Sequence, residues 1–142
     1  MLFGRKKRRI ERLLVVEDEP LVAFDTEHHL SDAGYTIVAT VDRVADAIEV
    51  IDGGTVVDLV LLDVDLADGS GLDVARAAQV VGVAVLFVTG QCPPEAAALA
   101  QGCLAKPYAQ RDLVAAIAAI ESAMDGKAAR RMPSGFRLFA AG

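Results

Sequence analysis

Five short apolar runs punctuate the chain, and each is followed by a stretch with helical signals. Leu13-Leu14-Val15-Val16 ends at Glu17-Asp18-Glu19, and residues 35–41 are rich in β-branched side chains. Residues 56–62 are apolar apart from Asp58, and the run ends at Asp63. Residues 83–88 end at Thr89-Gly90, and Gly102-Cys103-Leu104-Ala105 ends at Lys106-Pro107. Runs this short and continuous are strands buried on both faces, which requires a parallel sheet covered by helices.

The intervening stretches read as those helices. Pro20 suits a first helical turn, where its missing N–H is not needed, and Gly34 suits a stop. Leu21, Phe24 and Leu30 then place an apolar face on a helix over 20–33. Val44, Ala47, Ile48 and Ile51 mark a second helix, ended by Gly53-Gly54, and residues 72–79 mark a third after the loop Asp68-Gly69-Ser70-Gly71. Pro93-Pro94 opens a brief Ala-rich fourth helix of about two turns. A fifth spans 110–124, with Leu113, Ile117 and Ile120 on its face. The order βαβαβαβαβα predicts an α/β fold with a doubly wound, five-stranded parallel sheet and a short fourth helix.

At 142 residues, the chain has the length of one domain and can bury a core without staples. Its hydrophobic content of 54% excludes global disorder, and charges, Gly or Pro interrupt every apolar run well short of a membrane span. Charge divides it into three parts. Residues 1–9 carry five basic side chains and no acidic ones, 10–124 carry nineteen acidic and five basic, and 125–142 carry four basic and one acidic. We therefore expect a basic N-terminal tail (1–9), a folded body (10–124) and a flexible basic C-terminal tail (125–142). An acidic body argues against a nucleic-acid-binding domain and for a cation or a basic partner. The absence of a signal-peptide pattern and the two cysteines without a CxxC point to a reducing, cytoplasmic setting.

In an open parallel sheet, ligands bind outside the carboxyl ends of the strands. Glu17, Asp18, Asp63, Thr89 and Lys106 all fall there. Clustered carboxylates repel one another, and a hard divalent ion such as Mg²⁺ offsets that repulsion with oxygen ligands. A carboxylate beside such an ion can attack phosphorus, with the Lys and the hydroxyl meeting the developing charge.

Val15-Val16-Glu17-Asp18-Glu19, Leu61-Leu62-Asp63-Val64-Asp65, Val88-Thr89-Gly90 and Lys106-Pro107-Tyr108 resemble, in order, the motifs of the receiver domain of two-component response regulators. The resemblance covers 12–124 and implies the flavodoxin-like (βα)5 receiver fold. It implies that Asp63 is the phosphoacceptor, taking its phosphoryl group from a sensor histidine kinase or a histidine phosphotransferase. It assigns Mg²⁺ to the carboxylates of Asp18 and Asp63, to the backbone carbonyl of Asp65, and to Glu17 through a water. Thr89 and Lys106 would contact phosphoryl oxygens, and Gly90 would leave the site open. Such a protein catalyses only its own phosphorylation and dephosphorylation.

The chain departs from the family pattern in two places. The aromatic switch residue expected three positions before the Lys is Cys103, so the switch region formed by Thr89, Gly90 and Cys103 must couple differently. Only sixteen residues separate Thr89 from Lys106. This shortening, with Phe87-Val88-Thr89-Gly90, is similar to alphaproteobacterial single-domain stress regulators that carry a Phe-Ala-Thr-Gly motif. The eighteen residues after 124 are too few for a DNA-binding output domain, so output is expected through protein binding or as a phosphate sink. The alternatives are a receiver-like interaction module without phosphorylation, and a haloacid-dehalogenase-type phosphatase suggested by Asp63-Val64-Asp65. Chain order opposes the latter, because there the Asp-x-Asp follows the first strand.

Other features have plain readings beside sharper ones. His28-His29 reads as helix surface before it reads as a metal or phosphotransfer pair. Cys92 and Cys103 are either buried thiols or a redox pair. The basic run at 5–9 reads as a solvated tail that could touch anionic lipid or fold onto the acidic body, without stable membrane attachment. Phe136-Arg137-Leu138-Phe139 reads as part of the tail or as a docking motif.

Overall fold

The computed structural model describes residues 8–129 and 131–139. Five strands and five helices alternate as the sequence pattern predicts: β1 (Arg12–Val16), α1 (Pro20–Asp32), β2 (Thr36–Val41), α2 (Val44–Asp52) and β3 (Leu59–Leu62) come first. A two-residue hairpin, β4 (Asp65–Leu66) with β5 (Gly69–Ser70), leads into α3 (Gly71–Val80). Then follow β6 (Ala84–Thr89), α4 (Ala96–Leu99), β7 (Gly102–Ala105), α5 (Gln110–Met124) and β8 (Phe136–Leu138). The main sheet has the order β2-β1-β3-β6-β7-β8 and is parallel except for the last pair.

Strand alternation divides the core in two. Leu13, Val15, Leu59, Leu61, Leu86 and Val88 face α1 and α5, where Leu30, Leu113, Ile117 and Ile120 cover them. Leu14, Val16, Val60, Leu62, Val85 and Phe87 face α2, α3 and α4, against Ala47, Ile51, Val74, Ala78 and Ala96. Because both faces are covered, these strands lack polar alternation. Each fully buried Leu or Phe contributes about 1.5–3 kcal/mol of transfer free energy.

Several sequence expectations are corrected. Leu21 and Phe24 do not share the buried face of Leu30: they are 81% and 65% exposed, and Ala23 and Thr26 are buried instead. Nine residues turn a helix by about 900°, which sets Leu21 opposite Leu30. β3 starts at Leu59 because Asp58 turns its carboxylate to the backbone N–H groups of Glu11 and Arg12, at 2.9 and 2.8 Å. α4 is one turn rather than two. α2 has no cap of its own; Asp68, from the loop before β5, accepts from Val44 N at 2.6 Å and Ala45 N at 3.2 Å. Those bonds, with the Val44 N–H foremost, hold the Asp68 carboxyl below the usual range.

The C-terminal segment is not a flexible tail over 131–139. Phe136–Leu138 pairs antiparallel with β7, so a sixth strand joins the five parallel ones. The cause lies at Gly102, where an added Cβ would stand 2.7 Å from Phe136 Cε1: a bare glycine surface on β7 receives the ring. Ala105 N donates to Gly135 O at 2.9 Å, Phe139 N donates to Gln101 O at 3.0 Å, and Arg131 pairs with Asp112 at 2.7 Å. Phe136 is thus spent in the chain's own sheet.

At the other end, Arg8 and Arg9 lie on the acidic body. Arg8 sits over the Tyr35 ring at 4.6 Å, and Arg9 pairs with Asp125 at 2.8 Å. Residues 1–7, with Arg5, Lys6 and Lys7, lie outside the described residues. Among the described residues, no helix is long and apolar enough to cross a membrane.

Candidate functional site

The chain crosses from one face of the sheet to the other between β1 and β3, and the carboxyl ends of these neighbours open a crevice. Glu17 is tied into it by its N–H to Val41 O, and Asp63 by its N–H to Val16 O, at 2.9 and 3.1 Å. Carboxylate oxygens of Glu17, Asp18 and Asp63 all lie within 4.8 Å of one another. Glu17 and Asp63 are buried, whereas Asp18 is exposed at the mouth.

Among the described residues, the cation that answers this charge is Lys106. Lys106 Nζ donates to Glu17 Oε1 at 2.8 Å and to Asp63 Oδ2 at 3.1 Å. The second oxygen of each acid is used locally: Glu17 Oε2 accepts from Glu19 N at 3.1 Å, and Asp63 Oδ1 accepts from Asp65 N at 3.2 Å. Burial raises the Glu17 carboxyl above its ordinary value, against the lowering effect of Lys106. For Lys106, burial alone would lower the ammonium, but the hydrogen bonds and charges of Glu17 and Asp63 outweigh it and raise the group.

Lys106 is placed by β7 and its neighbour. Its N–H donates to Thr89 O at 2.8 Å, where β6 ends, and the Lys106–Pro107 peptide is cis. Thr89 is buried at the last residue of β6, and Gly90 opens onto free space, since a Cβ there would meet nothing within 4 Å. The described contacts bring Glu17, Asp18, Asp63 and Lys106 together. They show no hydrogen bond from the Thr89 hydroxyl to that group. The Asp65 side chain is exposed, and its N–H, rather than its carboxylate, reaches Asp63. Cys103 is not part of the site: it is 2% exposed and packs on the α3 and α4 side of the sheet.

Three residues escaped the sequence reading. Tyr108 and Thr26 line a small cavity with Glu17 and Asp63, and burial raises the Tyr108 phenol. A polar Thr four residues before Leu30 on the buried stripe of α1 was the available signal. Gly71 allows α3 to start against Asp63: an added Cβ would lie 2.1 Å from Asp63 O. Only the Gly-x-Gly punctuation hinted at it. His28 and His29 are exposed on α1, and His28 lies 3.6 Å from Asp32, away from the site.

The donor set fits a hard divalent cation. It offers oxygen ligands only, drawn from three carboxylates already gathered, with an exposed Asp18 on the solvent side. A doubly wound parallel sheet with an acidic site at its crossover point defines a flavodoxin-like α/β protein. Residues 13–118 match the response regulator receiver domain, and the chain belongs to that family.

The phyllosphere-induced regulator PhyR of Methylorubrum extorquens is 33% identical over 79 residues, covering 54% of this chain and 30% of PhyR. The transcriptional regulatory protein DltR of Streptococcus agalactiae is 39% identical over 82 residues, covering 56% of this chain and 36% of DltR. The matched part is thus about a third of each relative. Among solved structures, a response regulator receiver protein from Sinorhizobium medicae superposes with a TM-score of 0.70 at 26% identity, over 80% of this chain and 96% of that one. The N-terminal domain of a response regulator/sensory box/GGDEF protein from Carboxydothermus hydrogenoformans gives 0.72 at 25% identity, over 82% and 98%. The chain therefore carries the phosphoryl-accepting type of domain found in two-component signalling.

Proposed function

We propose that the chain accepts a phosphoryl group on Asp63, in a Mg²⁺-dependent reaction, from the phosphohistidine of a sensor kinase or a histidine phosphotransferase. The observation that carries this reading is the approach of three carboxylates within 4.8 Å, with Lys106 bound to the one at Asp63. Glu17, Asp18, Asp63 and the Asp65 carbonyl would hold the ion, which when bound neutralises charge on the phosphoryl oxygens. Asp63 Oδ attacks phosphorus, the P–N bond to the donor histidine breaks, and an acyl phosphate forms. Lys106 turns from Asp63 to a phosphoryl oxygen, and the Thr89 hydroxyl takes another. Gly90 leaves room for the group to enter.

The donor protein has a surface to meet. The apolar Leu21 and Phe24 stand exposed on α1, which begins two residues after Asp18. Beside them, a cavity of about 450 Å³ runs between α1 and the loop of Lys106, Pro107 and Tyr108. The phosphorylated domain acts in the cytoplasm by binding another protein or by draining phosphoryl groups, and it turns over no substrate other than its own acyl phosphate. Against a phosphatase of the haloacid-dehalogenase type, the Asp63-Val64-Asp65 motif follows β3 and not the first strand.

Intact-protein mass after incubation with Mg²⁺ and acetyl phosphate tests the reading. One phosphoryl adduct is expected on the wild-type chain and none on Asp63→Asn. No adduct on either, together with no binding of beryllofluoride, would overturn phosphoacceptance and leave an interaction module. Rapid, repeated release of phosphate would instead mark a phosphatase.

A further inference from the structure

β8 is a minimal strand, Phe136–Leu138, and it closes an edge that β7 would otherwise leave open. Its ladder begins with Ala105 N donating to Gly135 O at 2.9 Å and ends with Phe139 N donating to Gln101 O at 3.0 Å. The side chains divide between the two faces of the sheet. Phe136 and Leu138 pack on the α5 side, and Phe139 on the α3 and α4 side. The Phe136 ring fits the bare surface of Gly102, but Phe139 is only partly buried. It stands at the wall of a cavity of about 500 Å³, which Gln79, Leu99, Gln101 and Met124 also line. The next residues in sequence, Ala140, Ala141 and Gly142, carry two methyl groups between them, too little to fill it.

We propose that the β7 edge and this cavity form a docking groove for an extended segment of another protein, which adds antiparallel to β7 in place of β8. That segment sets an aromatic ring on Gly102 and, further along, a second large apolar side chain in the cavity. Strand alternation fixes the spacing: positions 139 and 141 share a face, so the residue matching Ala141 points to the cavity beyond Phe139.

An open edge pairs with an extended chain through main-chain groups, and side-chain pockets supply the selectivity. β8 competes from within the chain, at an effective concentration of about 1 mM for a short linker. A partner displaces it only by making contacts that β8 lacks, and the cavity offers them. A second copy of the chain brings the same residues as β8 and leaves the cavity unfilled, so the occupant is a different protein. The groove shares no side chain with the acidic site, so it stands apart from phosphoacceptance.

The probes are two labelled peptides: residues 131–142 as they stand, and the same peptide carrying Ala141→Trp. Fluorescence anisotropy measures their binding to the full chain, and hydrogen exchange at the Ala105 amide reports the edge. Phe136→Ala in the chain should release β8 and expose that amide. The unaltered peptide should bind this variant about tenfold more tightly than wild type and restore protection at Ala105. The Ala141→Trp peptide should bind roughly tenfold more tightly again, because it buries a large apolar side chain. Both should lose binding to Gly102→Ala, where a methyl takes the place of the ring. No binding to a Phe136→Ala chain with an exposed Ala105 amide would overturn the proposal and leave β8 a structural strand. Equal affinity of the two peptides would overturn it too, since the cavity would then give a partner no advantage. So would a wild-type dimer formed by exchange of residues 131–139 between copies. If Phe136→Ala does not fold, or keeps Ala105 protected, the wild-type chain carries the test. There the Ala141→Trp peptide should bind at a few millimolar, about the effective concentration of β8, and its failure to bind would equally overturn the proposal.

Discussion

Lys106 Nζ sits closer to Glu17, at 2.8 Å from Oε1, than to Asp63, at 3.1 Å from Oδ2. The Lys106 ammonium is therefore shared between an acid at the end of β1 and an acid at the end of β3. It links the two strand ends while both carboxylates are buried, and it can leave Asp63 without losing its partner Glu17.

Removing this ammonium should be costly. Lys106→Ala leaves two buried acids facing each other, and the expected loss is roughly 1–3 kcal/mol, below the range for fully buried pairs because Lys106 is itself partly exposed. Glu17→Gln in the Lys106→Ala background should recover part of it. Urea unfolding of the four members of this cycle measures the coupling, and strict additivity would show that the pair is not energetically linked.

The pH dependence follows from Glu17. Its folded carboxyl is raised above the value of 4.5 that it has when unfolded. Its contribution to stability is therefore complete below that value and lost as pH rises through the folded value. Glu17→Gln has no such loss, so its stability relative to wild type should climb as pH increases from 4 towards neutrality in Mg²⁺-free buffer. Urea midpoints across that window report the difference. A constant offset would contradict the raised carboxyl.

Two glycines beside the site should respond differently to alanine. At Gly71 the new methyl would meet Asp63 O at 2.1 Å, so α3 or the Asp63 backbone must move. Gly71→Ala should cost about 1–3 kcal/mol and weaken Mg²⁺ binding. Gly90→Ala meets no neighbour and should stay within about 0.5 kcal/mol of wild type. Thermal unfolding and Mg²⁺ titration compare the two.

Mg²⁺ itself should stabilise the chain. At ten times its dissociation constant, linkage adds about 1.4 kcal/mol, which is roughly 3–5 °C in Tm for a domain of this size. Asp18→Asn should diminish the gain while leaving the metal-free Tm close to wild type, because Asp18 is exposed. Scanning calorimetry with and without Mg²⁺ checks both statements.

The edge strand offers a prediction outside the site. Gly102→Ala places a methyl where the Phe136 ring lies, so β8 should detach from β7. The amides of Ala105 and Phe139, which donate to Gly135 O and Gln101 O, should then lose hydrogen-exchange protection. Amides within β1 and β3 should retain theirs.

Local chemistry made much of this protein legible in the sequence. A strand covered on both faces must be apolar, so the runs of β1, β3 and β6 announced a parallel sheet, whereas β2, at the edge of the sheet, keeps its threonines and buries no residue fully. The residues that end those runs had to lie along one edge, which brought Glu17, Asp18, Asp63, Thr89 and Lys106 into one candidate site. Pro20 and Gly34 bounded α1 within a residue or two for equally local reasons.

Tertiary structure decided what depends on distance between remote residues. Glu17 and Lys106 are 89 positions apart, and no spacing rule says which acid the ammonium prefers. Asp68 caps α2 from 24 positions away, Tyr108 shares a cavity with Thr26, and Phe136 finds the bare surface of Gly102. Each of these contacts exists because packing the helices on the sheet leaves one shape and one unpaired group at a given place. Sequence periodicity records which side of an element is buried, but the partner waiting there is set only when the layers close.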